Sequence, residues 1–207
     1  MDQFHTHRRR LMAATAAAVG SSLAGLPVWA KAAYPNKPIR FIVPFNPGGA
    51  TDIVARVLGE AMSKQLGQPI VVENKAGAAG MLGTDQIAKA APDGYNVLVS
   101  LSTSMLINQY LYTKMAYNPQ KDLLLLSDLA SAPVTLVVHP SVPANNMQEL
   151  LAWVKANKGK VSYGSWGVGS YAHLGGAYMS KTMGADMSHV AYRGEAPMIQ
   201  ELIGGQL

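Results

Sequence analysis

The sequence contains no cysteine, and this absence excludes several kinds of site at once. A chain without thiols has no disulfide framework, no thiolate-bound metal and no cysteine to carry an N-terminal lipid. The five histidines do not supply a metal site instead. His139, His173 and His189 show no short ligand spacing, and His5 and His7 lie near the N-terminus. The sequence therefore predicts neither a metal ion nor a cofactor.

Charged residues are also scarce, at 14% of the chain, while 49% of the residues are hydrophobic. That balance is typical of a globular protein. The formal net charge of +5 is concentrated at the N-terminus, where Arg8, Arg9, Arg10 and Lys31 are offset only by Asp2. Beyond residue 32, thirteen basic residues are set against eleven acidic ones. The sequence therefore indicates no nucleic-acid partner.

The N-terminal segment has the layout of a secretory signal peptide. A basic cluster precedes an uncharged, alanine-rich run at 11–30, and the small residues Ala30 and Ala32 suit a cleavage site. A transmembrane anchor is the alternative, but glycines, serines and a proline make the run only weakly hydrophobic. We predict a signal peptide over residues 1–32 and a location outside the cytoplasm. Arg8-Arg9-Arg10-Leu11-Met12 also resembles a twin-arginine signal, which leaves the export route open.

From Pro38 onward, short apolar runs rich in β-branched residues alternate with amphipathic stretches, as in α/β units with parallel strands. Strands are predicted at about 39–43, 70–73, 96–101, 134–138, 160–164 and 188–192. Helices are predicted at about 51–66, 80–90, 146–157, 170–183 and 196–203, each bounded by Gly, Pro, Asn or Ser. The predicted fold class is doubly wound α/β.

The connection at 118–143 interrupts this alternation. It contains an Asn-Pro turn, the apolar run 123–126, the turn 131–133 and a second apolar run at 134–138. A connection of this length is typical of a crossing between two lobes, although one lobe with a surface excursion remains the alternative. We predict lobe one at 33–131 and lobe two at 132–207.

The loop Pro44–Asp52 follows the first predicted strand and opens the first predicted helix. Gly48 and Gly49 permit a tight turn with exposed backbone N–H groups, and the helix N-terminus adds a positive dipole end. Thr51 or Asp52 can cap the helix. The loop therefore predicts a site for an anionic group, with a plain strand-to-helix turn as the alternative.

Two further loops also follow directly after a predicted strand. In the loop 162–170, the hydroxyls of Ser165 and Ser170 and amides freed by three glycines suit a second carboxylate or bridging waters. In the loop 191–194, Arg193 can face a carboxylate, although a lone arginine is more often a solvated surface residue. Ligands of open α/β sheets collect beyond the carboxyl ends of the strands, so the three loops together predict one site.

Enzyme motifs match less well. Residues 167–172 fit the G-x-G-x-x-G/A dinucleotide pattern, but the nearest acid, Asp186, precedes the next strand instead of ending it. Ser165 has Tyr163 where a G-x-S-x-G elbow needs its first glycine. No ordered set of serine, acid and histidine follows from the sequence. We therefore predict no catalytic residue, and keep an exported hydrolase using Ser165 or Ser170 as the alternative.

Taken together, the loops resemble those of the tripartite tricarboxylate transporter receptors, the TctC-like or Bug receptors. Any single matching stretch is weak evidence for the resemblance, but the stretches in this order are highly specific for the family. The matching stretches are 34–40, 43–45, 48–52, 72–80, 92–95, 164–165, 169–170 with His173, 192–194 and 204–206.

The resemblance implies a two-lobed periplasmic binding protein of the type II, Venus-flytrap kind. It would be a monomer that closes on a small carboxylate and presents it to membrane components of a tripartite transporter, with no bond made or broken. The ligand-binding residues implied are Phe45, Gly48, Gly49, Ala50, Thr51 and Asp52 from lobe one, and Ser165, Gly169, Ser170, His173, Tyr192, Arg193 and Gly194 from lobe two, with Thr103 and Ser104 as further candidates.

Two features depart from the family pattern. Ala76 stands where the family usually has proline, which loosens that turn without touching the implied site. Family chains also normally continue well past the Gly204-Gly205-Gln206 turn, first completing lobe two and then returning to lobe one. We therefore expect a chain truncated at its C-terminus with impaired binding, and a non-functional remnant is a further alternative.

Overall fold

The computed structural model describes residues 33–207, and the predicted signal peptide at 1–32 lies outside the described residues. The α/β prediction is confirmed for the described part, in which parallel strands alternate with helices along the chain. None of the described helices combines the length and the apolar composition needed to cross a membrane.

The first sheet contains three parallel strands in the order β2-β1-β3. They are β1 (Ile39–Val43), β2 (Ile70–Asn74) and β3 (Asn96–Leu98). Residues 39–43 of β1 pair in register with residues 70–74 of β2, while Arg40–Ile42 pair with β3. As the central strand, β1 is covered on both faces, which is why its sequence is almost continuously apolar.

Helices α1 (Ala50–Leu66) and α2 (Met81–Ala88) follow β1 and β2. The core contains Ile39, Phe41, Val43, Phe45, Ala55 and Val99, with side chains of α1 packed against it. Gly67 ends α1 in the left-handed conformation, with φ of 65°, and donates its N–H to the carbonyl of Ser63. Gly49 is the N-cap residue of α1, so the prediction that Thr51 or Asp52 caps this helix is wrong.

After β3 the chain forms a π-helical turn at Thr103–Ile107 and the short helix α3 (Asn108–Leu111), neither of which the sequence pattern predicted. The second part contains α4 (Met147–Ala156), β4 (Ser162–Ser165), α5 (Tyr171–Met183), β5 (Ser188–Ala191) and α6 (Glu195–Ile203). Strands β4 and β5 form a parallel two-stranded sheet. A second core cluster lies at Leu150, Val154 and Ala185.

The predicted strand at 134–138 is wrong, because these residues form no regular secondary structure and pair with no described strand. Val134, Leu136 and Val137 are all more than half exposed. The upstream run at 124–126 is exposed as well. An apolar, β-branched run becomes a strand only where a neighbouring strand satisfies its backbone groups.

Candidate functional site

The turn between β1 and α1 is organised by the carboxylate of Asp52, which is only 3% exposed. Its oxygens accept hydrogen bonds from the backbone N–H of Gly48 at 3.0 Å, from the Arg56 guanidinium at 3.0 Å and from Asn74 Nδ2 at 2.9 Å. Asn74 Nδ2 also donates to the carbonyl of Phe45 at 3.0 Å. Asp52 therefore holds the turn in shape, tying it to the end of β2.

Burial of Asp52 by itself would raise the pKa of the carboxyl group. The hydrogen bonds from Arg56, Gly48 and Asn74, with the positive charge of Arg56, outweigh it and leave the pKa below its ordinary value. Asp52 is thus ionised at neutral pH.

A small cavity lies where this turn faces the start of α6. Its lining includes Phe45, Gly49, Ala50, Thr51, Asp52 and Gly194, which the sequence predicted, and Asn46, Leu101, Trp166 and Glu195, which it did not. The loops meet directly, since Asn46 donates its N–H to the carbonyl of Arg193 at 3.0 Å. All three loops singled out in the sequence therefore contribute to the lining, the second of them through Trp166.

Two unpredicted side chains contribute polar groups at this cavity. Glu195 Oε2 accepts the backbone N–H of Ala50, the first residue of α1, at 2.7 Å. Trp166 packs against the core of the first sheet, and its buried indole N–H has no hydrogen-bond partner among the described residues. Both residues lie in or beside loops that the sequence singled out, and adjacency to those loops is the only signal that could have found them.

The second loop forms a buried cluster of its own around Ser165. Ser165 Oγ lies 2.7 Å from His189 Nε2 and donates to the carbonyl of Gly167 at 3.0 Å. The ring of His189 lies against His173, with centroids 4.1 Å apart, and stacks on Tyr163. The pKa of His189 is lowered mainly by burial and to a smaller extent by electrostatic repulsion from His173.

This cluster differs from the serine, histidine and acid arrangement of a hydrolase. The single hydroxyl proton of Ser165 has two acceptors within reach, the Gly167 carbonyl at 3.0 Å and His189 Nε2 at 2.7 Å, so the contact with His189 does not by itself define a nucleophile–base pair. No carboxylate orients His189 among the hydrogen bonds of the described residues. Ser165 is also fully buried. The geometry therefore disfavours the hydrolase alternative at Ser165.

We expect Ser165→Ala to leave ester hydrolysis at the uncatalysed background. It should lower the free energy of unfolding by about 1–2 kcal/mol, because His189 and the Gly167 carbonyl lose a buried partner. Hydrolysis of p-nitrophenyl acetate and urea unfolding measure the two effects. Ser162→Ala, at the exposed start of β4, is the matched control. Turnover by the wild type that Ser165→Ala abolishes and Ser162→Ala preserves would contradict this assignment.

The remaining predicted residues are placed as follows. Ser170 caps α5 by accepting the N–H of His173, and Gly169 donates its N–H to His173 Nδ1 at 3.1 Å. The Tyr192 hydroxyl donates a hydrogen bond to Glu201. Burial is the main cause that raises the pKa of Tyr192 to about 12, and the hydrogen bond and charge of Glu201 add to it. Thr103 and Ser104 are buried in the π-helical turn. The residues that do not line the cavity are Gly48, Thr103, Ser104, Ser165, Gly169, Ser170, His173, Tyr192 and Arg193.

Comparison with known proteins identifies relatives over most of the chain. Residues 54–207 match the family model described as the tripartite tricarboxylate transporter family receptor. Protein BugT of Bordetella pertussis is 40% identical over 173 residues, which are 83% of this chain and 53% of BugT.

Solved structures give the same result. The periplasmic binding protein BugD superposes with a TM-score of 0.71 at 36% identity, over 84% of this chain and 58% of BugD. MatC from Rhodopseudomonas palustris, solved with bound malate, superposes with a TM-score of 0.78 at 32% identity, over 84% of this chain and 59% of MatC. The chain thus spans somewhat more than half the length of these relatives. The chain has the fold of these periplasmic binding proteins, and it belongs to the tripartite tricarboxylate transporter receptor family.

Proposed function

We propose that this protein is a periplasmic solute receptor that binds a small carboxylate and delivers it to membrane components of a tripartite transporter. Membership of the receptor family supports the proposal, as does the malate in the related MatC. The observation that carries it is that the turn at the N-terminus of α1 already holds a carboxylate, with Glu195 Oε2 2.7 Å from the Ala50 N–H. Such a turn recognises the carboxylate group itself, because its backbone amides donate hydrogen bonds and the helix dipole adds a partial positive charge.

In the mechanism we propose, a ligand carboxylate is held by the amides of the turn at 49–52, while Asp52 keeps the amide of Gly48. The loops at 165–170 and 192–194 approach the ligand from the other side. Closure of lobe one, at 33–131, on lobe two, at 132–207, buries the ligand and creates the surface that the membrane partner recognises. No residue acts as a catalyst in this scheme. The protein reaches the periplasm through the signal peptide at 1–32.

The first test is thermal unfolding of the purified chain with acetate, malate and citrate, with glucose as a neutral control. A ligand that binds only the folded state stabilises it by about 4 kcal/mol at a thousandfold excess over Kd. We expect at least one acid to raise the midpoint and glucose to leave it unchanged. A sharp transition that none of the acids moves would contradict the proposal.

Gly48→Ala should weaken carboxylate binding at least tenfold, because alanine is strained at φ of 84° and the turn must rearrange. Gly67→Ala is the matched control, since Gly67 has φ of 65° with open space around it and ends α1 at the opposite end from the turn. Both variants should lose about 1–2 kcal/mol of stability. Isothermal titration calorimetry should show weaker binding only for Gly48→Ala. Equal affinities for the two variants would contradict the role of the turn.

A further inference from the structure

Glu195 makes a contact between two loops that lie 145 residues apart in the sequence. It is the first residue of α6 and follows Gly194, whose φ of 132° places the start of α6 against the β1–α1 turn. A Cβ atom built on Gly49 would lie 3.4 Å from Glu195 Oε2, and one built on Gly194 would lie 3.2 Å from the Asn46 nitrogen. The two backbones therefore approach closely enough for the Glu195 carboxylate to reach the Ala50 N–H.

The contact has the chemistry that a ligand carboxylate would bring. An ionised oxygen accepts a backbone N–H at the positive end of a 17-residue helix. Gly49, as N-cap residue, has no side chain to occupy that position itself. The side chain of Glu195 thus supplies the acceptor that the helix start lacks.

The cavity beside this contact is too small for a ligand in the described conformation. It offers about 10 Å³ for the centre of a water molecule, roughly the space of one water. Pockets that hold small organic ligands are about 300 Å³ or larger. A carboxylic acid can therefore enter only if a wall of the cavity moves, and the Glu195 side chain is the wall group that holds the amide the acid needs.

The other cavity carboxylate cannot take this part. Asp52 receives the Gly48 N–H, Arg56 and Asn74, and releasing it would dismantle the turn itself. Glu195 has a single hydrogen bond among the described residues, and that bond lies at an exposed position. It is thus the carboxylate that can leave at low cost.

We propose that Glu195 is the resident occupant of the β1–α1 turn and that a ligand binds by exchanging its own carboxylate for that of Glu195 at the Ala50 N–H. This inference rests on the proposed function of the same site. Glu195 then sets both affinity and charge selectivity. The ligand must compete with it, and after exchange its negative charge remains near the ligand, which disfavours dianions more than monoanions.

The test is an amide NMR titration of the wild type, Glu195→Ala and Glu195→Gln with acetate and with malate, at one low ionic strength. Glu195→Gln keeps the shape and a neutral acceptor. Glu60→Gln is the matched control, because it makes the same charge change on the exposed face of α1. If Glu195 holds the turn about nine-tenths of the time, its removal should strengthen binding about tenfold. Glu195→Gln should give a smaller gain, and malate a larger gain than acetate.

In Glu195→Ala without added acid, the Ala50 amide proton should move upfield, and it should return downfield as acid binds. Glu60→Gln should match the wild type in both respects. If the wild type and Glu195→Ala bind acid equally, carboxylate binding stands but exchange is overturned. A gain in affinity that leaves the free Ala50 signal unchanged also overturns exchange. If acid moves Ala50 in none of the proteins, the proposed function fails together with the exchange.

Discussion

Asp52→Ala is expected to lower the free energy of unfolding by about 3 kcal/mol. The substitution leaves the Gly48 N–H and the Asn74 amide without their buried acceptor, and each loss costs about 1–3 kcal/mol. The contribution of Arg56 is smaller, because its side chain is half exposed and its ion pair is screened by solvent. Urea unfolding at neutral pH measures the change. Asp128→Ala, at an exposed position, is the control and should change stability by less than about 0.5 kcal/mol.

The Asp52 contribution should also depend on pH in a defined direction. The pKa of Asp52 in the folded protein is lowered from its ordinary value of 3.8, so the unfolded chain takes up a proton first as the pH falls. Stability from Asp52 is therefore complete above its ordinary pKa and is lost as the pH falls through the lowered folded value. The difference between wild type and Asp52→Asn should shrink over that range. The lowered pKa would be contradicted if the difference in unfolding free energy between wild type and Asp52→Asn stayed constant to the lowest pH. It would also be contradicted if the difference between wild type and Asp128→Ala shrank by the same amount.

Ile42→Ala should be the most destabilising of the simple truncations, at about 3–4 kcal/mol. Ile42 is fully buried in the central strand, and truncation of its side chain leaves a cavity on one face of β1. Leu124→Ala is the matched control, because leucine and isoleucine lose the same three carbons and Leu124 is 84% exposed. That control should change stability by no more than about 0.5 kcal/mol. Chemical unfolding of both variants gives the comparison.

Comparable losses in the two variants would mean that the run at 124–126 is packed in solution, contrary to the structure. The comparison also bears on the failed strand prediction at 134–138. Both runs are strongly apolar, and in the described structure both are largely exposed. The expected difference between Ile42 and Leu124 therefore measures what pairing and coverage contribute beyond composition.

Most of the α/β elements could be predicted from the sequence. The strand at 39–43 is observed at those bounds, and the helix predicted at 51–66 is observed at Ala50–Leu66. These predictions succeed because their signals are local, namely β-branched apolar runs, amphipathic spacing and glycine at helix ends. The π-helical turn at 103–107 was missed because its residues carry no distinctive local pattern. Strand β3 ends at Leu98, earlier than predicted, where its pairing with β1 stops.

The candidate site divides in the same way. The turn at 48–52 follows from two glycines placed between a strand and a helix, so the prediction of an anion site there needed the sequence alone. The burial of the Asp52 carboxylate could not be predicted from the sequence. Its partners Arg56 and Asn74 come together only when α1 packs beside β2. The burial of Ser165 against His189 likewise depends on the pairing of β4 with β5.

By itself, the sequence determined the α/β class, the order of most of the elements and the loops that end their strands, because each depends on residues close together in the chain. Only the tertiary structure decided which groups meet at those loops. Glu195 accepts a hydrogen bond from the Ala50 N–H, and Trp166 packs against the core of the first sheet. Both contacts join segments that are far apart in the sequence. Local patterning carries no information about such a contact, because it depends on how two separately formed sheets come together.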